Sequence, residues 1–205
     1  MVINIKLIGV VTLIYVTTVY AQCNKSIVGC ANTSYTFQLD CRVIPDRDTV
    51  SIGDTIWVEI NSPNTFIDLQ SNQPINFSNA NNLGTNMGFV KLINRSPIQL
   101  ADAVDSFKFV LITGSEITSP IPHLEKDFLI NDVNGMYVFK LGVIPKNSGT
   151  YRFNLGNPAG VYRNSNSCPK ANFNMRLTQT NQHYYLYPGG AGVTPAGADY
   201  YFHVR

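Results

Sequence analysis

The clearest pattern in this chain is an alternation of apolar and polar residues over short segments. Within Ser34–Asp40, the side chains of Tyr35, Phe37 and Leu39 fall on one face, and Thr55–Asn61 alternates in the same way. A period of two residues predicts β-strands that bury one face. Similar segments, rich in β-branched and aromatic residues, are Gly88–Ile93, Ser106–Ile112, Met136–Ile144, Thr150–Leu155, Ala171–Leu177 and Ala198–Val204.

The dipeptide Asn134-Gly135 predicts a β-hairpin. It lies between the apolar run Phe128–Ile130 and the alternating segment Met136–Leu141. Asn and Gly both tolerate the positive φ angles of a type I′ turn, whose twist matches that of the flanking strands. A calcium loop of the EF-hand type is the alternative, but its twelfth position would hold a leucine where a bidentate Glu is needed.

Helical patterns are short. The best helix candidate, Gln99–Asp105, allows one or two turns at most. The Asn-rich stretch Asn61–Asn86 predicts a long excursion with short edge strands around Phe66–Leu69 and Ile75–Phe77. Many short strands without a βαβ alternation favour a sandwich or barrel, and no repeat or linker divides the chain. The sequence therefore predicts an all-β fold in one domain.

One short stretch resembles the immunoglobulin-like domains. Asn147–Phe153 (NSGTYRF) is similar to their Asp-Ser-Gly-x-Tyr-x-Cys motif, although Asn replaces the Asp and Phe replaces the inter-sheet Cys. The resemblance implies that Tyr151 is a tyrosine corner. Trp57 departs from the family pattern, because it lies on what would be strand B rather than strand C.

The chain as a whole resembles small secreted proteins of Gram-negative bacteria that contain such sandwiches. The resemblance implies an immunoglobulin-like antiparallel β-sandwich with long Asn-rich loops. It implies no activity, since a fold of this kind hosts many functions.

The first 21 residues have the features of a signal peptide. Lys6 precedes the uncharged run Leu7–Val19, and Val19-Tyr20-Ala21 offers small residues at the cleavage positions. A run of about 13 residues is too short for a transmembrane anchor, which needs about 20. Lipidation at Cys23 is a second alternative, but Gln22 is not the small residue that such a signal requires. We therefore expect a secreted or periplasmic protein with one β-sandwich domain over residues 22–205 and no transmembrane segment.

The charge balance argues against a nucleic-acid partner. Removal of Lys6 with the leader leaves 14 basic and 13 acidic side chains, a net charge of +1. No basic stripe or long charged run is present, so the chain has no field of one sign to attract a polyanion.

The four cysteines, Cys23, Cys30, Cys41 and Cys168, predict two disulfides in an exported protein. Their spacings of 7, 11 and 127 residues differ from the close pairs of zinc sites. Three connectivities are open. We favour a local Cys23–Cys30 bridge and a long Cys41–Cys168 staple.

No motif in the sequence carries chemistry. The three histidines, His123, His183 and His203, lack the spacing of a metal site, and Cys168, Met175 and His183 are poorly spaced for copper. No GxSxG elbow is present, and the carboxylates Glu59, Glu116 and Glu125 have no local signature. We therefore predict no catalytic residue, no metal and no cofactor.

Tyrosines near the carboxyl terminus are the candidate binding residues, because Tyr offers rigid contact area at low entropic cost. The set comprises Tyr184, Tyr185, Tyr187, Tyr200 and Tyr201. The alternative is that half of these rings fill the core. The predicted function is a secreted, non-catalytic binding or structural module that presents loops to a protein or a glycan.

The alternative function is a carbohydrate-active or metal-dependent enzyme with an unrecognised site. Such an enzyme would bring together in one pocket at least two members of a short set of titratable residues. That set is His123, His183, His203, Glu59 and Asp132.

Overall fold

A computed structural model describes residues 33–163, 166–189 and 197–205, and these residues form an all-β fold. The predicted signal peptide, Cys23 and Cys30 lie outside the described residues. Within the described residues, no helix is long and apolar enough to cross a membrane. Two 3₁₀ turns cover Val104–Ser106 and Tyr184–Leu186.

The strands, in chain order, are β1 (Ser34–Ile44), β2 (Thr49–Val50), β3 (Ile56–Pro63), β4 (Thr65–Ile67), β5 (Pro74–Asn76), β6 (Ala80–Asn81), β7 (Gly84–Arg95), β8 (Ile98–Asp102), β9 (Phe107–Thr113), β10 (Ser115–Ile117), β11 (Glu125–Leu129), β12 (Asn131–Val133), β13 (Met136–Pro145), β14 (Gly149–Leu155), β15 (Val161–Arg163), β16 (Asn166–Leu177) and β17 (Asp199–Val204).

Most strands belong to two sheets, which we call sheet A and sheet B. Sheet A has the order β12-β13-β3-β1-β16-β15-β6, and β9 also pairs with β13. Sheet B has the order β10-β11-β7-β14-β17-β2, and β8 also pairs with β7. Strands β4 and β5 form a separate hairpin. Buried side chains from both sheets form one hydrophobic core.

The predicted alternation explains which side chains enter that core. In β14, Tyr151, Phe153 and Leu155 are buried while the residues between them are half-buried. Strand β17 also places Tyr200 and Phe202 in the core, although Tyr201 between them is buried outside it. Because successive side chains of a strand point to opposite faces, each strand contributes every second residue.

Both sheets are mixed, so the prediction of purely antiparallel sheets is wrong at two places. Strand β1 pairs in parallel with β16, and β17 pairs in parallel with β2. Parallel pairing needs a long crossover connection, and no local pattern in the sequence marks it.

The turn of the predicted hairpin and its second strand are confirmed, but its first strand is Asn131–Val133, since Phe128 and Leu129 belong to β11 of sheet B. The helix prediction is wrong. Asn134 and Gly135 have φ angles of 52° and 81° and join β12 to β13. The candidate helix Gln99–Asp105 instead forms most of β8 and part of a 3₁₀ turn. The edge of β7 offers β8 backbone hydrogen-bond partners that an isolated short helix would lack. The two short edge strands predicted in the Asn-rich excursion are observed as β4 and β5.

The long Cys41–Cys168 staple is wrong. Cys41 is a free, buried thiol, and the register of β1 with β16 places it beside Leu177. Cys168 lies nine residues earlier in the same strand, which corresponds to about 30 Å at about 3.3 Å per residue. A disulfide needs Cα atoms within about 7 Å. Burial raises the pKa of the Cys41 thiol to about 12.

Tyr151 lies in β14, and its ring is buried against Phe107 and Phe202. Its hydroxyl donates to the backbone carbonyl of Asn147 over 3.0 Å. A hydrogen bond from a tyrosine to the backbone a few residues upstream is what the tyrosine corner of immunoglobulin-like domains makes.

Candidate binding site

The predicted binding tyrosines, which we call the tyrosine cluster, differ widely in exposure. Tyr200 and Tyr201 are buried on β17. Tyr184 and Tyr187 are half-buried, and Tyr185 is 50% exposed. Of the five rings, Tyr200 alone belongs to the hydrophobic core, so the alternative that half of them fill the core holds for one ring. Tyr201 is buried outside that core, under a surface segment that contains Tyr184 and Tyr187.

Ring contacts hold that segment on the sheet. Tyr184 stacks on Tyr187 with centroids 5.7 Å apart, and both rings contact Tyr201 at 5.2 Å and 5.7 Å. Aromatic pairs at these separations add stability beyond the area they bury. Because each of the three rings packs against the other two, little ring face is left for a ligand.

The polar atoms beside these rings also have internal partners. The Tyr200 hydroxyl donates to the Arg47 carbonyl over 2.7 Å and accepts from the Arg47 amide over 3.1 Å. The Tyr185 hydroxyl donates to an Asp48 carboxylate oxygen. This bond is the main cause that lowers the pKa of Asp48 and raises that of Tyr185 to about 12.

His183 completes this arrangement. It is buried, adopts a left-handed backbone with φ 50°, and lies against Tyr200 with ring centroids 5.5 Å apart. Its Nε2 lies 3.0 Å from Asp46 Oδ1, and the Asn181 amide donates to the other carboxylate oxygen of Asp46 over 2.7 Å. Its Nδ1 is buried without a partner in the described part of the chain, so it is not open to a substrate.

The other residues that an enzyme would combine lie apart. His123 faces Asp102 at 3.9 Å, and His203 contacts Thr150 at 3.2 Å. Asp132 accepts a bond from the backbone amide of Asn79.

Glu59 pairs with Lys140 at 2.7 Å and with Arg42 at 2.9 Å, and these bonds lower its pKa. Within the described residues, no group of three or more His, Cys, Asp or Glu side chains is placed to hold a metal ion. The hydrogen bonds and ion pairs found for these residues join none of His123, His183, His203, Glu59 and Asp132 to another of the five.

An open cleft of about 440 Å³ lies elsewhere, where β7, β10 and β11 meet the loop after β14. Five polar residues line it, and we call it the amide cleft: Asn82, Thr85, Asn86, Asp127 and Asn157. Ile117, Pro158 and Val161 add apolar surface. A further concavity of about 420 Å³ shares Asn82 and extends toward Asp132.

Strand register and one close approach position these groups. Asp127 lies directly opposite Asn86 in the β11–β7 pair, so both side chains point to the same face. The amide of Gly156 donates to the backbone carbonyl of Asn86 over 2.8 Å. A Cβ at Gly156 would overlap the Asn86 side-chain oxygen, so glycine lets the loop approach the strand.

Three of these five polar side chains are held in place, and two have no partner among the described residues. The Thr85 hydroxyl donates to the Gly156 carbonyl over 3.0 Å. Asn86 donates to Glu125 over 2.7 Å, and Asn157 accepts from the Met175 amide over 2.8 Å. Neither Asp127 nor Asn82 has a side-chain hydrogen bond or ion pair to the described residues. The cleft therefore offers a ligand three uncommitted groups: the Asp127 carboxylate, the whole Asn82 amide and Nδ2 of Asn157.

The sequence alone does not point to this cleft, because the residues that line it come from four separate segments. Asn82 and Asn86 were interpreted as part of an Asn-rich excursion, and Asp127 lies beside the hairpin without any motif. The abundance of Asn was the only signal present, and it indicates turns as readily as binding groups.

Comparison with known proteins adds no identification: no family model matches the chain, and neither a curated protein nor a solved structure does.

Proposed function

We propose that this protein is an exported, non-catalytic binding module that holds a glycan in the amide cleft. The observation that carries the proposal is the set of uncommitted polar groups of Asp127, Asn82 and Asn157 in one open cleft. Elsewhere in the candidate regions, such as at Tyr185 and His183, polar side chains bind other parts of the chain.

The chemistry of these groups favours a ligand rich in hydroxyls. A carboxylate accepts hydrogen bonds from two neighbouring hydroxyls, and an amide both donates and accepts. Among the described residues that line the cleft, there is no basic side chain to hold a phosphate or sulfate. Pro158, Val161 and Ile117 offer apolar contact for the CH face of a sugar ring.

The size of the cleft agrees with this choice. Pockets for small ligands enclose about 300–1,000 Å³, and the amide cleft encloses about 440 Å³. The neighbouring concavity that shares Asn82 would let a chain of sugars continue past the first ring. The proposal of export rests on the leader sequence. We also propose an immunoglobulin-like sandwich, and the hydrogen bond from Tyr151 to the Asn147 carbonyl supports it.

The test is a glycan array with the exported chain, followed by calorimetric titration of the best ligand. Asp127→Ala should weaken binding by about tenfold or more, because a hydrogen bond to a charged group contributes about 1.5–3 kcal/mol. Asp105→Ala is the matched control, since Asp105 is exposed and lies outside the cleft. Its affinity should equal that of the wild type.

Three outcomes would overturn the proposal. The wild-type chain could bind no glycan, or Asp127→Ala could bind as tightly as the wild type. Binding could also be lost in Tyr185→Ala and kept in Asp127→Ala, which would move the site to the tyrosine cluster.

A further inference from the structure

Strand β8 is an exposed edge of sheet B. All five of its residues are exposed, including the aliphatic Ile98 at 46% and Leu100 at 43%. In the described part of the chain it pairs with β7 alone, so its second edge presents free backbone N–H and C=O groups.

Such an edge invites pairing with another strand. Proteins commonly protect edge strands with lysines, prolines within the strand, or a covering loop. Between Ile98 and Asp102, β8 has no basic residue and no proline, and its one charge lies at its end. The shorter edge strands β10 and β12 each carry an acid at their centre, Glu116 and Asp132.

We propose that β8 binds β8 of a second copy of this chain, antiparallel across a two-fold axis at Leu100. An interface of this symmetry uses the same patch on both copies. In the β7–β8 register, Leu92 lies opposite Leu100. The pairing therefore builds a row of four leucines across the joined sheets, with the two copies of Leu100 in the middle.

The charges beside this row are complementary under the same symmetry. Arg95 lies opposite Ile98 in the β7–β8 pair, so both side chains share one face. The two-fold axis sets Ile98 opposite Asp102 of the second copy. The backbones of Arg95 and of that Asp102 are then two strand spacings apart, about 10 Å. An arginine side chain is long enough to reach the carboxylate over this distance.

Neither charge has an ion-pair partner closer than 3.9 Å among the described residues of one copy. In the described residues, Asp102 has one ion-pair contact, with the exposed His123 at 3.9 Å, and Arg95 has none. Two Arg95–Asp102 pairs would form in each dimer. A strand of some other protein would have no reason to match both the leucine row and these charges.

A cysteine cross-link tests the geometry directly. The two-fold axis brings the residues at position 100 within about 4.5–5.5 Å, between Cα atoms, a distance that a disulfide accepts. Leu100→Cys should therefore form a covalent dimer under mild oxidation, and peptide mapping should locate the bond between the two new cysteines. Gln99→Cys is the matched control, because position 99 faces position 101 of the second copy.

Sedimentation of the exported chain from micromolar to submillimolar concentration should show a monomer–dimer equilibrium. Leu100→Lys should raise the dissociation constant of the dimer by about 100-fold or more, because the dimer then loses two buried leucines. Arg95→Asp and Asp102→Arg should each weaken it by about threefold to tenfold, and the double variant should restore it. Thermal unfolding of each variant checks that it folds.

The proposal fails if the wild-type chain is monomeric throughout this range. It also fails if Leu100→Cys cross-links no better than Gln99→Cys, or if the double charge variant stays as weak as the single ones. None of these results depends on glycan binding, so the dimer and the proposed function stand or fall separately.

Discussion

The tyrosine cluster and the amide cleft are both rich in groups that bind ligands, yet they use these groups in opposite ways. In the tyrosine cluster, the rings of Tyr184, Tyr187 and Tyr201 pack on each other, and the hydroxyls of Tyr185 and Tyr200 bind the chain itself. In the amide cleft, the side chains of Asp127 and Asn82 have no hydrogen-bond partner among the described residues. Composition alone indicates the tyrosines as the binding site. The hydrogen-bonding groups that are left free in the structure indicate the amide cleft instead.

The largest effect that would separate the two regions is a loss of stability on removal of the Tyr200 ring. Tyr200→Ala should lower the free energy of unfolding by about 3–5 kcal/mol, as large-to-small changes of buried aromatic residues do. Tyr200→Phe keeps the ring and loses the bonds to Arg47, so it should cost about 1–2 kcal/mol. Urea unfolding measures both. Equal losses for the two variants would contradict the ring's place in the core.

His183 should show a smaller effect of the same kind. His183→Ala removes the Nε2 contact with Asp46 and the ring beside Tyr200, and should cost about 1–3 kcal/mol. His203→Ala is the control, because His203 is exposed and such substitutions stay within about 0.5 kcal/mol. A destabilisation by His203→Ala as large as that by His183→Ala would show that burial does not distinguish the two.

The amide cleft should respond in affinity rather than in stability. Asn82 has a φ of 56°, a conformation that glycine adopts freely. Asn82→Gly therefore removes the amide without backbone strain and should weaken glycan binding by about twofold to tenfold. Its free energy of unfolding should stay within about 0.5 kcal/mol of the wild type. Calorimetry measures the affinity, and urea unfolding measures the stability. A loss of stability without a loss of affinity would contradict the assignment of Asn82 to a binding site.

The smallest effect concerns the hydrogen bond between Tyr185 and Asp48. It raises the pKa of Tyr185 from about 10 to about 12, so its stabilisation is present below pH 10 and is lost as the pH rises toward 12. Tyr185→Phe should make the alkaline loss of stability shallower in that window. Urea midpoints at several pH values measure it, with Tyr162→Phe, another exposed tyrosine, as the control. An unchanged slope in Tyr185→Phe would contradict this role of the bond.

The individual strands could be predicted because their information is local. Alternation in Ser34–Asp40 and Thr55–Asn61 identified β1 and β3 and the faces that they bury, and Asn134-Gly135 identified a turn. The helix predicted at Gln99–Asp105 failed because partnership with β7, not the segment's own preference, decides its structure.

Pairing and site could not be predicted, because they depend on distant segments. The register of β1 with β16 joins Ser34 to Lys170, and this register is also what separates Cys41 from Cys168. The amide cleft likewise needs Asn82, Asp127 and Asn157 to converge, and each residue has ordinary neighbours in the sequence.

The parallel pairs of β1 with β16 and of β2 with β17 also govern when the chain can fold. Strand β16 lies between β1 and β15 in sheet A, and β17 lies between β14 and β2 in sheet B. Neither sheet can therefore be completed until the residues after Asn166 have been synthesised. A chain that ends before them lacks β16 in sheet A and β17 in sheet B. Folds dominated by such distant contacts form slowly, so we expect the chain to stay open for some time after its synthesis ends.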